Sequence, residues 1–236
     1  MTFINLSLAD MSKEIHQLAD PKKAQVYSRF FKTGKGEYGD GDVFLGLTVP
    51  EQRALAKRYV DLPLKDVREL LYSRYHEFRL TGFFILVYNF QKEERKEIVD
   101  FYLQHKERAN NWDLIDCVCD KILGKWLLDK DKSILFALAR SPSLWDRRIA
   151  IISTFEFIRN KNFDDTLQIA ESLLHDSHDL IHKAVGWMLR EIGKRDQDVL
   201  EQFLKKWHKE MPRTMLRYAI ERFEEEKRQL YMKGFA

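Results

Sequence analysis

The stretch Lys183-Ala-Val-Gly-Trp-Met-Leu-Arg190, continuing to Lys194, decides the fold class. Lys183, Trp187, Arg190 and Lys194 follow one another at intervals of 4, 3 and 4 residues, which sets them on one face of a helix. Val185, Met188, Leu189 and Ile192 fall largely opposite and form the face a core would cover. The same 3.6-residue patterning runs in both directions from here.

Upstream, the spacing predicts a first helix over Lys13–Thr33, a glycine-rich loop from Thr33 to Gly41, and a helix opening at Thr48-Val-Pro-Glu51 and running through Arg58. Pro50 fits the first turn, where its missing N–H costs nothing. Another start lies near Pro63, and Tyr75–Phe90 reads as a strongly apolar helix, with Glu93–Tyr102 continuing the pattern. Asn110 and Asn111 are suitable caps for Trp112–Leu123. Ser143 and Asp146 have the spacing of a capping box, opening Leu144–Ile158. Asp164–Leu174, Asp179–Lys194, Asp198–His208 and Pro212–Leu230 complete the series.

Glycine (10) and proline (5) are too scarce to punctuate a sandwich or barrel, which needs a turn about every 8–12 residues. The class is all-α. Short polar turns between helices suggest antiparallel pairs stacked side by side in a single domain over residues 1–236. The segments opening at Arg147 and His182 are offset by nearly the ~40–47 residues of HEAT-type repeats. Such a stack leaves a concave surface; an irregular helical bundle is the alternative that periodicity leaves open.

With 44% hydrophobic and 33% charged residues, the chain can bury a sizeable core. No run approaches the ~20 apolar residues of a spanning helix, and Met1–Asp20 lacks the pattern of a secretion signal. Cys117 and Cys119 are two apart and would diverge around a helix, consistent with a reducing cytoplasm. A net charge of +3 is too small to identify a nucleic-acid partner, so the positions of the cations must decide.

Three segments gather polar and aromatic residues on one helical face. In Asn110-Asn-Trp-Asp-Leu-Ile-Asp116, Trp112 and Asp116 are four apart, so an indole and a carboxylate could stabilise a cation together; a core tryptophan and a salt-bridged acid fit the spacing too. In Leu144-Trp-Asp-Arg-Arg148, Arg148 lies near a helix start, where the dipole disfavours it unless an acid or a phosphate compensates. The stripe through Lys183, Trp187, Arg190 and Lys194 suits a sugar–phosphate backbone, with charge for the phosphates and a ring for the sugar. His175, His178 and His182 have spacings seen among metal ligands but lie partly in an aspartate-rich turn. Asp113, Asp116 and Asp120 form an acidic row with no further support for a cation. Neither a phosphate-binding glycine loop nor a Ser-His-Asp signature is present.

Taken in order, Phe44-Leu-Gly-Leu-Thr-Val-Pro-Glu-Gln-Arg53, His76-Glu-Phe-Arg79, Asn111-Trp-Asp-Leu-Ile-Asp116, Trp145-Asp-Arg-Arg148 and Lys183 to Glu191 resemble the AlkD-like DNA alkylation repair family, and Arg213–Arg222 is similar to its last repeat. The resemblance implies a solenoid of HEAT-like repeats cradling duplex DNA in a concave groove. It implies a cofactor-free, monomeric glycosylase that hydrolyses the N-glycosidic bond of positively charged N3- and N7-alkylated purines. Carried over by position, Asp116 matches the catalytic carboxylate, Trp112 and Trp187 the paired aromatics at the sugar, and Arg148 the arginine beside them. Lys183, Arg190, Lys194 and Arg147 are the expected DNA contacts, with Arg148 also expected at a phosphate. Val49 departs from the family's frequent threonine before the proline, and the Gly34–Gly41 loop has no clear counterpart. The contrasting reading is a helical-repeat module that binds DNA or protein without chemistry.

Overall fold

The computed structural model describes residues 6–234, which form two compact units divided between residues 114 and 115. Residues 1–5 of the stretch read as lacking a secretion signal lie outside the described residues. Regular structure among the described residues is helical, apart from one isolated bridge between Val43 and Tyr75. None of these helices is long and apolar enough to cross a membrane.

In the first unit the predicted Lys13–Thr33 helix is two helices, α1 (Leu8–Gln17) and α2 (Pro21–Phe30). Asp20 breaks them by accepting the N–H groups of Lys22 and Lys23, and Pro21, having no N–H, begins α2 rather than continuing α1. Helix α3 (Val49–Arg58) starts at Thr48, whose N–H and hydroxyl both donate to Glu51 at 2.7 Å. Thr48 thus caps the start that Val49 had put in doubt. Helices α4 (Leu64–Leu71) and α3 both pack on α5 (His76–Lys92), and α6 (Lys96–Gln104) follows. Phe83, Phe84, Ile85, Leu86 and Val87 are successive and fully buried, so α5 is apolar all round and forms the centre of this unit.

Helix α7 (Trp112–Asp116) is shorter than the predicted Trp112–Leu123. The chain resumes as a π-turn over Asp120–Gly124, which leads into α8 (Lys125–Leu127). Gly124 lies against the Ser153 carbonyl, where a Cβ would meet the oxygen at 2.2 Å. Helices α9 (Ser133–Ala139), α10 (Leu144–Ser153), α11 (Phe155–Arg159) and α12 (Asp164–Ser172) follow. The predicted Leu144–Ile158 helix divides at Thr154, whose hydroxyl donates to the Ile151 carbonyl at 2.7 Å and competes with helix continuation.

Helix α13 (Asp179–Gly193) packs on α10, α14 (Gln197–Trp207) and most closely on α15 (Arg213–Ala219). The last predicted helix also divides, since Glu224, Glu225 and Glu226 favour the positive end of a new helix, α16 (Glu225–Lys233). Close approach of α13 and α15 depends on Gly186, where a Cβ would sit 2.5 Å from the Met215 carbonyl oxygen and the Tyr218 Cβ. Alanine improves helix propensity by about 1 kcal/mol over glycine, but this contact is backbone and cannot yield cheaply. Gly186→Ala is therefore expected to destabilise by about 1–3 kcal/mol, read as a lowered urea midpoint with an unchanged slope.

Candidate active site

Asp116 ends α7, and its carboxylate is gripped from both sides by Arg148 in the second turn of α10. Arg148 Nε donates to Oδ1 at 2.8 Å and Nη2 to Oδ2 at 2.6 Å, while Nη1 donates to the Leu180 carbonyl at 2.5 Å. Arg148 is 5% exposed, and Asp116 is half-buried. A guanidinium this deep needs a carboxylate and further acceptors to offset its lost hydration. The fork meets an acid and a carbonyl, and the acid is one of the two partners that its place near a helix start called for. The parallel N–H···O geometry fixes the plane of the carboxylate.

Leu180, which receives the third guanidinium bond, lies in the first turn of α13, and Trp187 follows two turns later. Val185, Met188, Leu189 and Ile192 are buried as the spacing predicts, while Trp187 is half-buried with Phe155 at 5.7 Å between ring centroids. The predicted DNA-facing cations all have acidic partners. Lys183 pairs with Asp179 at 2.7 Å, Lys194 with Glu191 at 2.6 Å and Arg190 with Glu221. Arg147 Nε donates to Asp176 at 2.6 Å, and its Nη1 reaches the Ser141 and Pro142 carbonyls. Exposed pairs such as Lys183–Asp179 contribute about 0–1 kcal/mol, so exchanging the acid for a phosphate is inexpensive.

In the first unit Trp112 stacks on Phe31 at 5.1 Å and 21° and meets Phe30 edge-on. Its backbone N–H donates to the side-chain oxygen of the adjacent Asn111 at 2.9 Å. Beneath these rings lies a buried polar network that spacing did not reveal. His76 Nδ1 meets Asp42 Oδ2 at 3.0 Å, and Nε2 meets Asp113 Oδ2 at 2.9 Å. Arg79, one turn on, donates to Asp42, to the Ser73 carbonyl and to Asn110. The neighbouring Glu77 accepts the backbone N–H groups of Leu45, Gly46 and Leu47. Two motifs noted separately, Phe44–Arg53 and His76–Arg79, are therefore one structure. The glycine-rich loop turns back through a Gly39 N–H···O bond to Lys32 and a left-handed Gly41, φ 84°, to deliver Asp42.

Asp113, Asp116 and Asp120 do not form a metal site: they bind His76, Arg148, and Lys121 with Arg159, respectively. His178 accepts the Leu180 N–H and His182 meets the Asp176 carbonyl, both local capping contacts. Among the described residues no cluster of three His, Cys, Asp or Glu is placed to hold a metal.

Burial opposes a charge on His76, yet the Asp113 and Asp42 carboxylates outweigh it and raise the pKa from 6.5 to about 9. The folded state then holds its proton more tightly than the unfolded chain. The resulting stabilisation is complete below about pH 6.5 and lost as pH rises through about 9. An NMR titration should place the His76 midpoint near pH 9, with urea stability falling across the same interval; a midpoint near 6.5 would contradict the ion-pair assignment.

The family model described as "DNA alkylation repair enzyme" matches residues 11–223. Two solved structures share the fold. A predicted DNA alkylation repair enzyme from Enterococcus faecalis is 20% identical with a TM-score of 0.71, covering 88% of this chain and 97% of the other. AlkD2 from Streptococcus mutans is 18% identical with a TM-score of 0.59, covering 91% and 99%. No curated protein matches the chain. An all-helical fold shared with these structures and a family match over most of its length place the chain in the DNA alkylation repair enzyme family.

Proposed function

We propose that this protein is a DNA glycosylase that releases positively charged alkylated purines, of the 3-methyladenine and 7-methylguanine type, from duplex DNA. The observation that supports it most is the Asp116–Arg148 pair, a carboxylate held in one orientation by two parallel guanidinium N–H groups. A charged purine is already a good leaving group, so no general acid is required. The C1′–N bond breaks with its electrons passing to the base, and the barrier lies in the oxocarbenium-like sugar left behind. Asp116 would stabilise that cation and take the proton of the attacking water. Trp112 and Trp187 would offer ring faces to the same positive charge. Arg148 serves as the residue that positions Asp116, and Lys183, Arg190, Lys194 and Arg147 would hold flanking phosphates once their acidic partners yield.

Wild-type protein incubated with methylated duplex DNA should release free 3-methyladenine and 7-methylguanine. Asp116→Asn, folded by circular dichroism, should lose at least about 100-fold in rate, the scale of a missing electrostatic stabiliser. Intact duplex binding with no release by the wild type would instead make the chain a non-catalytic DNA-binding module.

A further inference from the structure

Within the second unit the last two helices, α15 and α16, line a shared cavity of about 430 Å³. It falls in the size range of small-molecule sites, which begins near about 300 Å³. On α15 the lining residues Arg213, Arg217 and Ile220 recur at the spacing of one helical face. On α16 the lining residues Arg228, Met232 and Lys233 do the same. Two separate helices thus bring four cations to one concavity.

Like charges gathered this way repel one another unless acids intervene. Two acids lie close by, and both are engaged. Glu221, in the lining, accepts from Arg190, which reaches it from α13. Glu225 pairs with Arg228 at 3.4 Å and accepts the Gln229 amide at 2.6 Å. Crediting each acid to its partner leaves Arg213, Arg217 and Lys233, none of which makes an ion pair among the described residues. Arg213 donates one N–H to the Met232 carbonyl at 2.7 Å, a bond that ties α15 to α16 and leaves its charge unmatched. It also opens α15, where the positive end of a helix adds to the repulsion. Ile220 is buried and Met232 half-buried, so part of the lining is apolar, and charge contacts there are stronger than in open water.

We propose that this cavity binds a compact, multiply charged phosphate, such as a diphosphate or the terminal phosphate of a small molecule. Arginine forks meet oxyanions through parallel N–H bonds, and a terminal phosphate offers three acceptor oxygens with a charge of about −1.5 to −2. A backbone phosphate of DNA carries a single charge, too little to match three cations around one point. The site is therefore separate from the phosphate contacts proposed for Lys183, Arg190, Lys194 and Arg147. It requires neither DNA nor base excision.

Inorganic pyrophosphate is a suitable probe, titrated calorimetrically into the full chain at physiological ionic strength and without divalent metal. Dimethyl phosphate, a singly charged diester, is the comparator. Saturable binding of pyrophosphate is expected, weakened about tenfold or more by Arg217→Gln. Arg217 is exposed, so its replacement spares the core. Lys209→Gln removes an exposed cation outside the lining and should leave the affinity unchanged. Dimethyl phosphate should bind more weakly by about tenfold or more, and an undamaged DNA duplex should not displace pyrophosphate. No saturable heat with millimolar pyrophosphate, equal losses in Arg217→Gln and Lys209→Gln, or comparable binding of dimethyl phosphate would overturn the proposal. Displacement by the duplex would overturn it too, and would assign the cavity to the DNA backbone.

Discussion

A guanidinium taken out of water must be met by a fixed negative charge, and Arg148 satisfies that constraint with Asp116. The bond pattern is reciprocal. Arg148 can be buried only because the carboxylate is there, and the carboxylate keeps one orientation because two parallel N–H groups hold it. The third bond, to the Leu180 carbonyl, anchors the start of α13, the helix that carries Trp187. Folding therefore fixes the parts on which the proposed chemistry relies before substrate arrives, so orienting them costs nothing at the moment of reaction. Gly186 supports the same helix from its other side by letting α15 approach.

The first unit solves a similar problem with different residues. His76 and Arg79 bring positive charge into an aromatic core, and Asp42 and Asp113 match it. Such buried networks stabilise only when every member is satisfied. Here most hydrogen-bonding groups are paired, with Arg79 Nε and Asp113 Oδ1 as exceptions.

Much of this was legible from sequence because helical periodicity reports burial directly. The faces of α13 follow their spacing, with Val185 and Leu189 buried and Lys183, Trp187 and Arg190 half-buried. Helix existence was readable, while helix breaks were less so: Asp20-Pro21 and Thr154 interrupt patterns whose apolar period continues across them. The Asp116–Arg148 bond joins positions 32 apart and the Asp42–His76 bond positions 34 apart. No local spacing encodes such partners, so residues could be nominated but their pairing could not. Arg148 shows the consequence. Its place near a helix start called for an anion, and sequence alone could not choose between a phosphate and Asp116.

The central claim is that Arg148 acts through Asp116, and a double-mutant cycle on base release tests it most directly. Rates of 7-methylguanine release would be compared for wild type, Asp116→Asn, Arg148→Lys and the double variant, each verified as folded. If Arg148 works by orienting the carboxylate, the double variant will be no slower than Asp116→Asn alone, because the positioned group is already gone. Losses that multiply across the two sites would contradict the account and give Arg148 an independent role.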